Sequence, residues 1–587
     1  MLKILKYLTK KDWLFVLCSF VFVVAQVYLD LKLPDYMSEI TMLVQTQGSE
    51  MNEILSAVGY MLLCALGSLL ASFVVGYFAA RIASNLSWRL HSNVYYKIEG
   101  FSMAEINKFS TASLITRSTN DITQVQNIVA MGLQLIMKAP ITAIWAIGKI
   151  LGKGWEWTAA TGVALFTIIL LIGVIMIFVI PRFKKVQGLT DKLDLVTREN
   201  LTGIRVVRAY NAENYQSEKF ESVNDEVTKN NLVINRSMGV MMPGMMFVLN
   251  LLSLSIYLTG AYLINNASME NKITLFSDMI VFSSYSMQVI MAFIMLTMIF
   301  IMMPRASVSA KRILEVLNTK ESIIDGHGKV KHTTDDGEIE FKNVSFRYPD
   351  AEDSEYVLRD INFKAEAGQT VAIIGSTGSG KTSLINLIPR FYDFCEGEVL
   401  VGGVNVKHYK QKHLNNLLGY VHQKAVLFTG NVSSNVAYGD NGRGKYSQKD
   451  IEQAIDIAQG TEFVSKMKNT YKASIAQGGT NVSGGQKQRL SIARAICRKP
   501  KIYIFDDSFS ALDYKTDRKL RSILKKETKG STNLIVAQRI GTIIDADKIM
   551  VLDEGQIVGM GTHEELMKNC KVYQEIAYSQ LSKEELA

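Results

Sequence analysis

Gly375-Ser376-Thr377-Gly378-Ser379-Gly380-Lys381-Thr382 is the stretch on which the reading of this chain turns. It fits the pattern G-x-x-x-x-G-K-[ST], and its flanks have the character the pattern requires. The apolar run Thr370-Val371-Ala372-Ile373-Ile374 predicts a strand feeding it, and Ser383-Leu384-Ile385-Asn386-Leu387-Ile388 predicts a helix leaving it. Glycines let the backbone wrap close to phosphate, and amides at the helix N-terminus face the anion. In such a loop Lys381 reaches the β- and γ-phosphates, while the Thr382 hydroxyl ligates Mg²⁺. A plain glycine-rich turn is the alternative, and the flanking strand and helix argue against it. The stretch therefore predicts a nucleoside triphosphate site.

Outward from this loop the composition is uneven. The 587 residues suggest several domains, and 48% hydrophobic with 20% charged is skewed for a soluble protein. The long uncharged runs fall in the first half; the second half reads as an ordinary soluble α/β protein. The net charge of +9 is modest, and its basic excess flanks apolar segments, which points to membrane orientation rather than to nucleic acid. Cys18, Cys64, Cys395, Cys497 and Cys570 show neither C-x-x-C nor Cys/His ligand spacing, so neither a disulfide framework nor a zinc site is expected. Lys3, Lys6, Lys10 and Lys11 precede an apolar run from Trp13 to Leu29. No small-residue cleavage site follows and further spans do, so a first membrane helix is expected rather than a signal peptide.

A helix needs about 20 apolar residues to cross a bilayer. The candidates are 13–33, 54–80, 128–151, 158–180, 238–265 and 273–303, the first and third interrupted by Asp30 and Lys138. Six spans put both termini on one side, and the basic residues place that side in the cytoplasm of a cell membrane. Residues 81–127 hold Arg81, Arg89, Lys97, Lys108 and Arg117, and residues 182–236 hold ten Lys or Arg. The opposite connections hold only Lys153 and Lys272. Both basic segments are long and poor in Pro and Gly, so the helices are expected to run on past the membrane and turn back at elbows near 101–106 and 209–213. Of the 26 methionines, 13 fall between Met238 and Met303, and Met287, Met291, Met295, Met298 and Met302 share one helical face. That face reads either as helix packing and lipid contact or as a pliable wall for varied apolar ligands. Asp278, Gln288 and Asn250 are polar groups at or near membrane depth. Asp278 is alternatively solvated near the outer end, and Lys138 either lines the cavity or snorkels.

Past Lys311 and Arg312 a polar linker with Gly326 and Gly328 leads to a new domain near Glu338. Residues 339–348 alternate like a strand ending at Tyr348, an aromatic suited to stacking on adenine or simply a strand residue. Gln423 follows an apolar stretch, where a surface glutamine is the plain reading. Ser483-Gly484-Gly485-Gln486 precedes a helical pattern, which makes another anion-binding helix start. Lys501-Ile502-Tyr503-Ile504-Phe505-Asp506 is a strand ending in a carboxylate, the second metal-side element of a P-loop fold.

The order and spacing of these motifs resemble the ATP-binding cassette, and the whole chain resembles an ABC exporter half-transporter. That resemblance implies an all-α membrane domain of six helices (1–320), a linker (321–337) and an α/β P-loop nucleotide-binding domain (338–587), with ATP and Mg²⁺ as cofactors. By it, Tyr348 stacks on adenine; Gly375, Ser376, Thr377, Gly378, Ser379, Gly380, Lys381, Thr382 and Ser383 hold the phosphates. Thr382, Gln423 and Asp506 attend the metal. Ser483, Gly484, Gly485 and Gln486 form the signature, which acts on the partner's ATP, and Ser510-Ala511-Leu512-Asp513 is the D-loop. The elbows correspond to coupling helices.

Three positions depart from the family. Asp507 stands where a catalytic Glu usually follows Asp506, which leaves the carboxylate one methylene short. Gln538 replaces the switch histidine, and Gln477 replaces a common glutamate. Glutamine still hydrogen-bonds phosphate but carries no proton or charge. The expectation is an impaired catalytic half-site beside a sound signature, hence a non-identical half-transporter as partner. The expected activity is ATP-driven export of amphipathic drugs or lipid-like compounds, with hydrolysis mainly at the partner's site. Alternatives are an exporter-fold importer of a metal chelate and an ATP-gated regulator that barely hydrolyses. A peptide-processing exporter is disfavoured, because no protease domain precedes the first span.

Overall fold

The computed structural model describes residues 2–46, 49–326, 334, 336–349, 355–442 and 444–580. Gly328 of the expected linker, with 327 and 329–333, lies outside the described residues. The chain divides into two compact units: residues up to Lys97 with Ala112–Thr319, and Ile98–Thr111 with the chain from Lys320 onward.

The first unit is built from α1 (Lys10–Gln45), most of α2 (Met51–Glu99), α4 (Thr111–Ser118), α5 (Asn120–Ile150), α6 (Trp155–Thr202), α7 (Ile204–Ala209), α8 (Glu213–Asn266) and α9 (Met269–Asn318). Among the described residues, six of its helical stretches are long and apolar enough to cross a membrane. At 1.5 Å per residue, about 20 residues cross the apolar layer. The 49 residues of α2, 48 of α6 and 54 of α8 therefore continue well beyond it, as the long basic segments predict. The turn between α7 and α8 sits at the second expected elbow, where Asn211 takes φ 50°. Asparagine tolerates that left-handed region better than most side chains. At its start α1 is closed by a capping box: Asp12 N donates to Thr9 Oγ1 (3.3 Å) and Thr9 N to Asp12 Oδ2 (2.8 Å).

Val27 and Leu31 of α1, Ile168 of α6, Ile256 of α8 and Phe282 and Tyr285 of α9 form a continuous buried core. The two charges that interrupt the first and third spans meet there, with Lys138 Nζ 3.0 Å from Asp30 Oδ2. Lys149 pairs with Asp35 at 2.8 Å, and Lys153 with Asp278 at 2.7 Å. Lys138 and Asp278 are thus each neutralised by a neighbour in the same unit. Met287, Met291 and Met298 are exposed, and Met295 packs on the small cluster of Ala139, Ala143 and Ala292.

The second unit contains α3 (Met103–Phe109) and the cassette. β1 (Ile339–Phe346) pairs antiparallel with both β2 (Leu358–Ala365) and β4 (Glu396–Val401), and β5 (Val404–Asn405) completes a four-stranded sheet. A six-stranded sheet is ordered β12 (Gln556–Gly561), β11 (Lys548–Asp553), β3 (Thr370–Gly375), β10 (Thr532–Val536), β9 (Ile502–Asp506), β6 (Leu418–Val421). Its strands are parallel except β12. Parallel strands are covered on both faces, so β9 and the middle of β3 are buried without alternation. β7 (Gly430–Asn431) and β8 (Ser474–Ile475) form a small ribbon. The cassette helices that bear on the site are α10 (Lys381–Asn386), α15 (Gly484–Cys497), α16 (Tyr514–Glu527), α17 (Ile540–Ile543) and α19 (Lys571–Gln580); α11 (Gln411–Leu417), α12 (Val432–Val436), α13 (Gln448–Ile457) and α14 (Thr461–Ser465) lie between α10 and α15, and α18 (His563–Asn569) precedes α19.

The first elbow belongs to this unit. Ser102 caps α3, and the buried carboxylate of Glu105 accepts from Ser102 N (2.8 Å), Ser102 Oγ (2.7 Å) and Ser322 N (3.2 Å). Beyond Ser322 the chain stays docked: Arg390 donates to Ile324 O (2.9 Å), and Gly326 N to Tyr409 O (2.9 Å).

Candidate functional site

Four neighbouring parallel strands, β3, β10, β9 and β6, end on one edge of the sheet, and each releases a residue of interest there. The phosphate loop follows β3, Gln538 follows β10, Asp506 and Asp507 end β9, and Gln423 follows β6. β10 lies between β3 and β9, so the chain order reverses at this edge and opens a crevice at the strands' carboxyl ends.

The loop is shaped by its glycines. Gly378 and Gly380 take φ 88° and 97°, and a Cβ on Gly380 would come 2.8 Å from Leu358. A Cβ on Gly375 would strike Leu552 O at 2.0 Å. Lys381, 9% exposed, folds over the loop and donates to Gly375 O (2.9 Å), Ser376 O (2.6 Å) and Ser379 Oγ (3.2 Å). Burial pulls its pKa below the usual lysine value, against the opposing charges of Asp507 and Asp506. Thr382 Oγ1 donates to Asp506 Oδ1 at 3.1 Å. A buried cation, a glycine cradle and two hard oxygens side by side fit a triphosphate and a divalent cation. Tyr348 lies two residues past β1 rather than at its end; its hydroxyl meets Ser383 Oγ at 2.8 Å, and its ring stands edge-on to Phe346 and Tyr392.

Asp507 is the hub. Gln538 Nε2 donates to its Oδ2 at 3.1 Å, and Gln423 Nε2 donates to the same oxygen at 3.4 Å. Its N–H donates to Val536 O (3.0 Å), and its carbonyl accepts from Ser510 Oγ (2.9 Å). The residue holds φ 43°, a region uncommon for residues other than glycine, although aspartate is among the side chains that take it most readily. Burial raises its carboxyl pKa, opposed by the Gln423 amide among others, and Asp506 is likewise raised by burial. A small cleft open to solvent lies beside it, lined by residues that include Ser510, Val536, Gln538 and Thr542.

The signature residues stand apart. Ser483 caps α15 in a box with Gln486: Gln486 N donates to Ser483 Oγ (3.3 Å), and Ser483 N to Gln486 Oε1 (2.9 Å). Gly484 and Gly485 form the first turn and are ready to present amides to an anion. Among the described residues, no hydrogen bond joins Ser483–Gln486 to Gly375–Ser383. Asp513 caps α16 through Thr516 N (3.0 Å), and that bond lowers its pKa. Tyr392, which completes the aromatic trio around Tyr348, carries no motif that singles it out in the sequence; Ser510 opens the D-loop stretch, but its bond to the Asp507 carbonyl is not readable there.

The match to known proteins agrees with this geometry. Residues 16–293 match the ABC transporter transmembrane region, and residues 358–510 match the ABC transporter domain. An uncharacterized ABC transporter ATP-binding protein of Mycobacterium tuberculosis is 37% identical over 80% of this chain and 79% of its own length. YfiB of Bacillus subtilis, also an uncharacterized ABC transporter ATP-binding protein, is 34% identical over 81% and 80%. The ATP-dependent lipid A-core flippase of Pseudomonas aeruginosa is 30% identical over 77% and 73%. A solved bacterial Atm1-family ABC exporter with ATP bound shares the fold, with a TM-score of 0.80 and 23% identity over 96% of this chain and 98% of that one. The chain belongs to the ABC transporter family, as a half-transporter with the exporter fold whose cassette is an ATPase coupled to transport.

Proposed function

We propose that this chain is the subunit of a heterodimeric exporter that binds ATP durably at its own P-loop and lends its signature to the site that turns over. The observation that carries the reading is the arrangement at Asp507. A base there must reach and deprotonate an attacking water. This carboxylate is one methylene shorter than glutamate, and two amides occupy one of its oxygens. Its backbone is pinned on both sides, so a main-chain shift does not recover the lost reach. A misplacement of about 1 Å costs on the order of 10²-fold in rate. Gln538 holds its amide where it donates to phosphate or to Asp507 but transfers no proton.

Gly375–Ser383 and Tyr348 bind the nucleotide, and Lys381 releases its loop carbonyls to meet the β- and γ-phosphates. Thr382, Gln423 and Asp506 would hold Mg²⁺, which would supply charge neutralisation to the phosphates. Ser483–Gln486 close over the partner's ATP, and Asp513 lies in the connecting loop. The membrane half ends near residue 320 and the cassette begins near 338, with both termini and the cassette in the cytoplasm of the cell membrane. The exposed methionine face of α9 and the flippase among the relatives support an amphipathic drug or lipid-like substrate moved outward.

The test uses the purified pair. Asp507→Asn in this chain leaves most turnover intact, whereas Glu→Gln after the partner's Walker B aspartate abolishes it, both read as phosphate release. Equal losses, or normal exporter turnover by this chain without a different partner, overturn the reading.

A further inference from the structure

Helix α19 closes the cassette and bears on the switch loop that carries Gln538. Tyr573 and Ala577 are both 0% exposed and four residues apart, so one face of α19 is sunk in the core formed with Ala372, Ile374, Ala537, Ile540 and Ile543. The helix is held further by Tyr573 Oη against His563 Nδ1 (2.8 Å) and by Gln574 Nε2 donating to Met567 O (2.8 Å). Three residues past Ala577, and so on the same face, stands Gln580. Its Nε2 donates to Gln538 O at 2.7 Å, and its Oε1 accepts from Ile540 N at 2.9 Å.

The two bonds have a physical reason. Ile540 N is the first amide of α17, and Arg539, at the cap position, makes no side-chain capping bond. Leading amides of a helix have no partner inside it. Gln580 supplies that partner from a distant helix and, with its other end, fixes the carbonyl of the residue whose side chain reaches Asp507. Backbone torsions at 538–540 decide where the Gln538 amide points. A single side chain spanning the carbonyl of 538 and the amide of 540 restrains those torsions directly.

We propose that Gln580 is a positioning residue for the nucleotide site: it sets the switch loop so that Gln538 stays aimed at Asp507 and the γ-phosphate. The proposal rests on the reading of this half-site as one that retains ATP, because retention is what it is expected to tune. Gln580→Met keeps the volume of the side chain and removes both hydrogen bonds.

The experiment takes the full-length assembled transporter in nanodiscs with Mg²⁺ and radiolabelled ATP, and follows the slow phase of nucleotide release. Wild type, Gln580→Met, Gln538→Ala and the double variant are compared, with thermal midpoints beside them. Losing two partly exposed neutral hydrogen bonds speeds release about threefold to tenfold in Gln580→Met. In the Gln538→Ala background the same change has no further effect, because the group being aimed is gone. The same fold-change in both backgrounds, or release unaltered within about twofold in Gln580→Met, overturns the positioning role. A wild type with no slow phase refutes ATP retention instead; the same four proteins are then compared by turnover, where loss of the Gln580 effect in the Gln538→Ala background still supports the positioning role and an unchanged effect overturns it.

Discussion

If Asp507 fails as a base because of reach, lengthening it restores chemistry. Asp507→Glu adds one methylene, about 1.5 Å of carbon–carbon bond. The cleft beside the residue opens to solvent, so an added methylene extends into it without forcing the neighbouring chain outward. Because the backbone of Asp507 is tied to Val536 and Ser510, the added length goes into the crevice rather than into a main-chain shift. With a penalty on the order of 10²-fold per ångström of misplacement, turnover at this half-site rises about 10²-fold. That corresponds to roughly 2.7 kcal/mol of barrier. The assay is phosphate release from the assembled dimer with the partner's catalytic glutamate changed to Gln, so that only this half-site reports. Adding Gln538→His supplies a group able to carry charge and raises the rate further. The pH profile has a fixed sign: the base works ionised, and burial raises the Asp507 pKa, so activity falls with falling pH sooner than for a solvated aspartate. A rate that stays within about threefold of the Asp507 background while ATP binding is unchanged refutes the reach argument.

Two further outcomes follow from residues already placed. Glu105→Ala leaves Ser102 N and Ser322 N without their acceptor, at about 1–3 kcal/mol for each donor, and hydrogen exchange across 320–326 accelerates. Burial pushes the Glu105 pKa up, but the hydrogen bonds of Ser102 and Ser322 outweigh it and leave the pKa lowered. Its contribution is therefore complete above the usual glutamate pKa and is lost as pH falls through the depressed folded value, which a pH series of exchange rates detects. Lys381→Met removes the buried cation and its three loop contacts, and titration with ATP shows binding weakened about 10- to 100-fold.

What was legible in the sequence is what chemistry or the bilayer forces into a short window. A phosphate cradle needs glycines and a lysine at set spacing, and a buried parallel strand needs an unbroken apolar run, so Gly375–Thr382, β3 and β9 are read directly. Crossing the bilayer imposes length, so six spans are countable even where Asp30 and Lys138 break them. That these two charges answer each other was not legible. They stand 108 positions apart, and whether they meet depends on how α1 and α5 rotate about their own axes. The same limit hides the grouping of residues 98–111 with the cassette, which rests on Glu105 meeting Ser322 across 217 positions. Asp507 and Gln538 fall between these cases. Each was conspicuous as a departure from a motif, but their shared hydrogen bond needs β9 and β10 to be neighbours in register, with Asp506 opposite Val536. That register turns two separate substitutions into one altered site: shortening the acid and replacing the imidazole by an amide leaves a hydrogen-bonded pair that holds its shape without moving a proton.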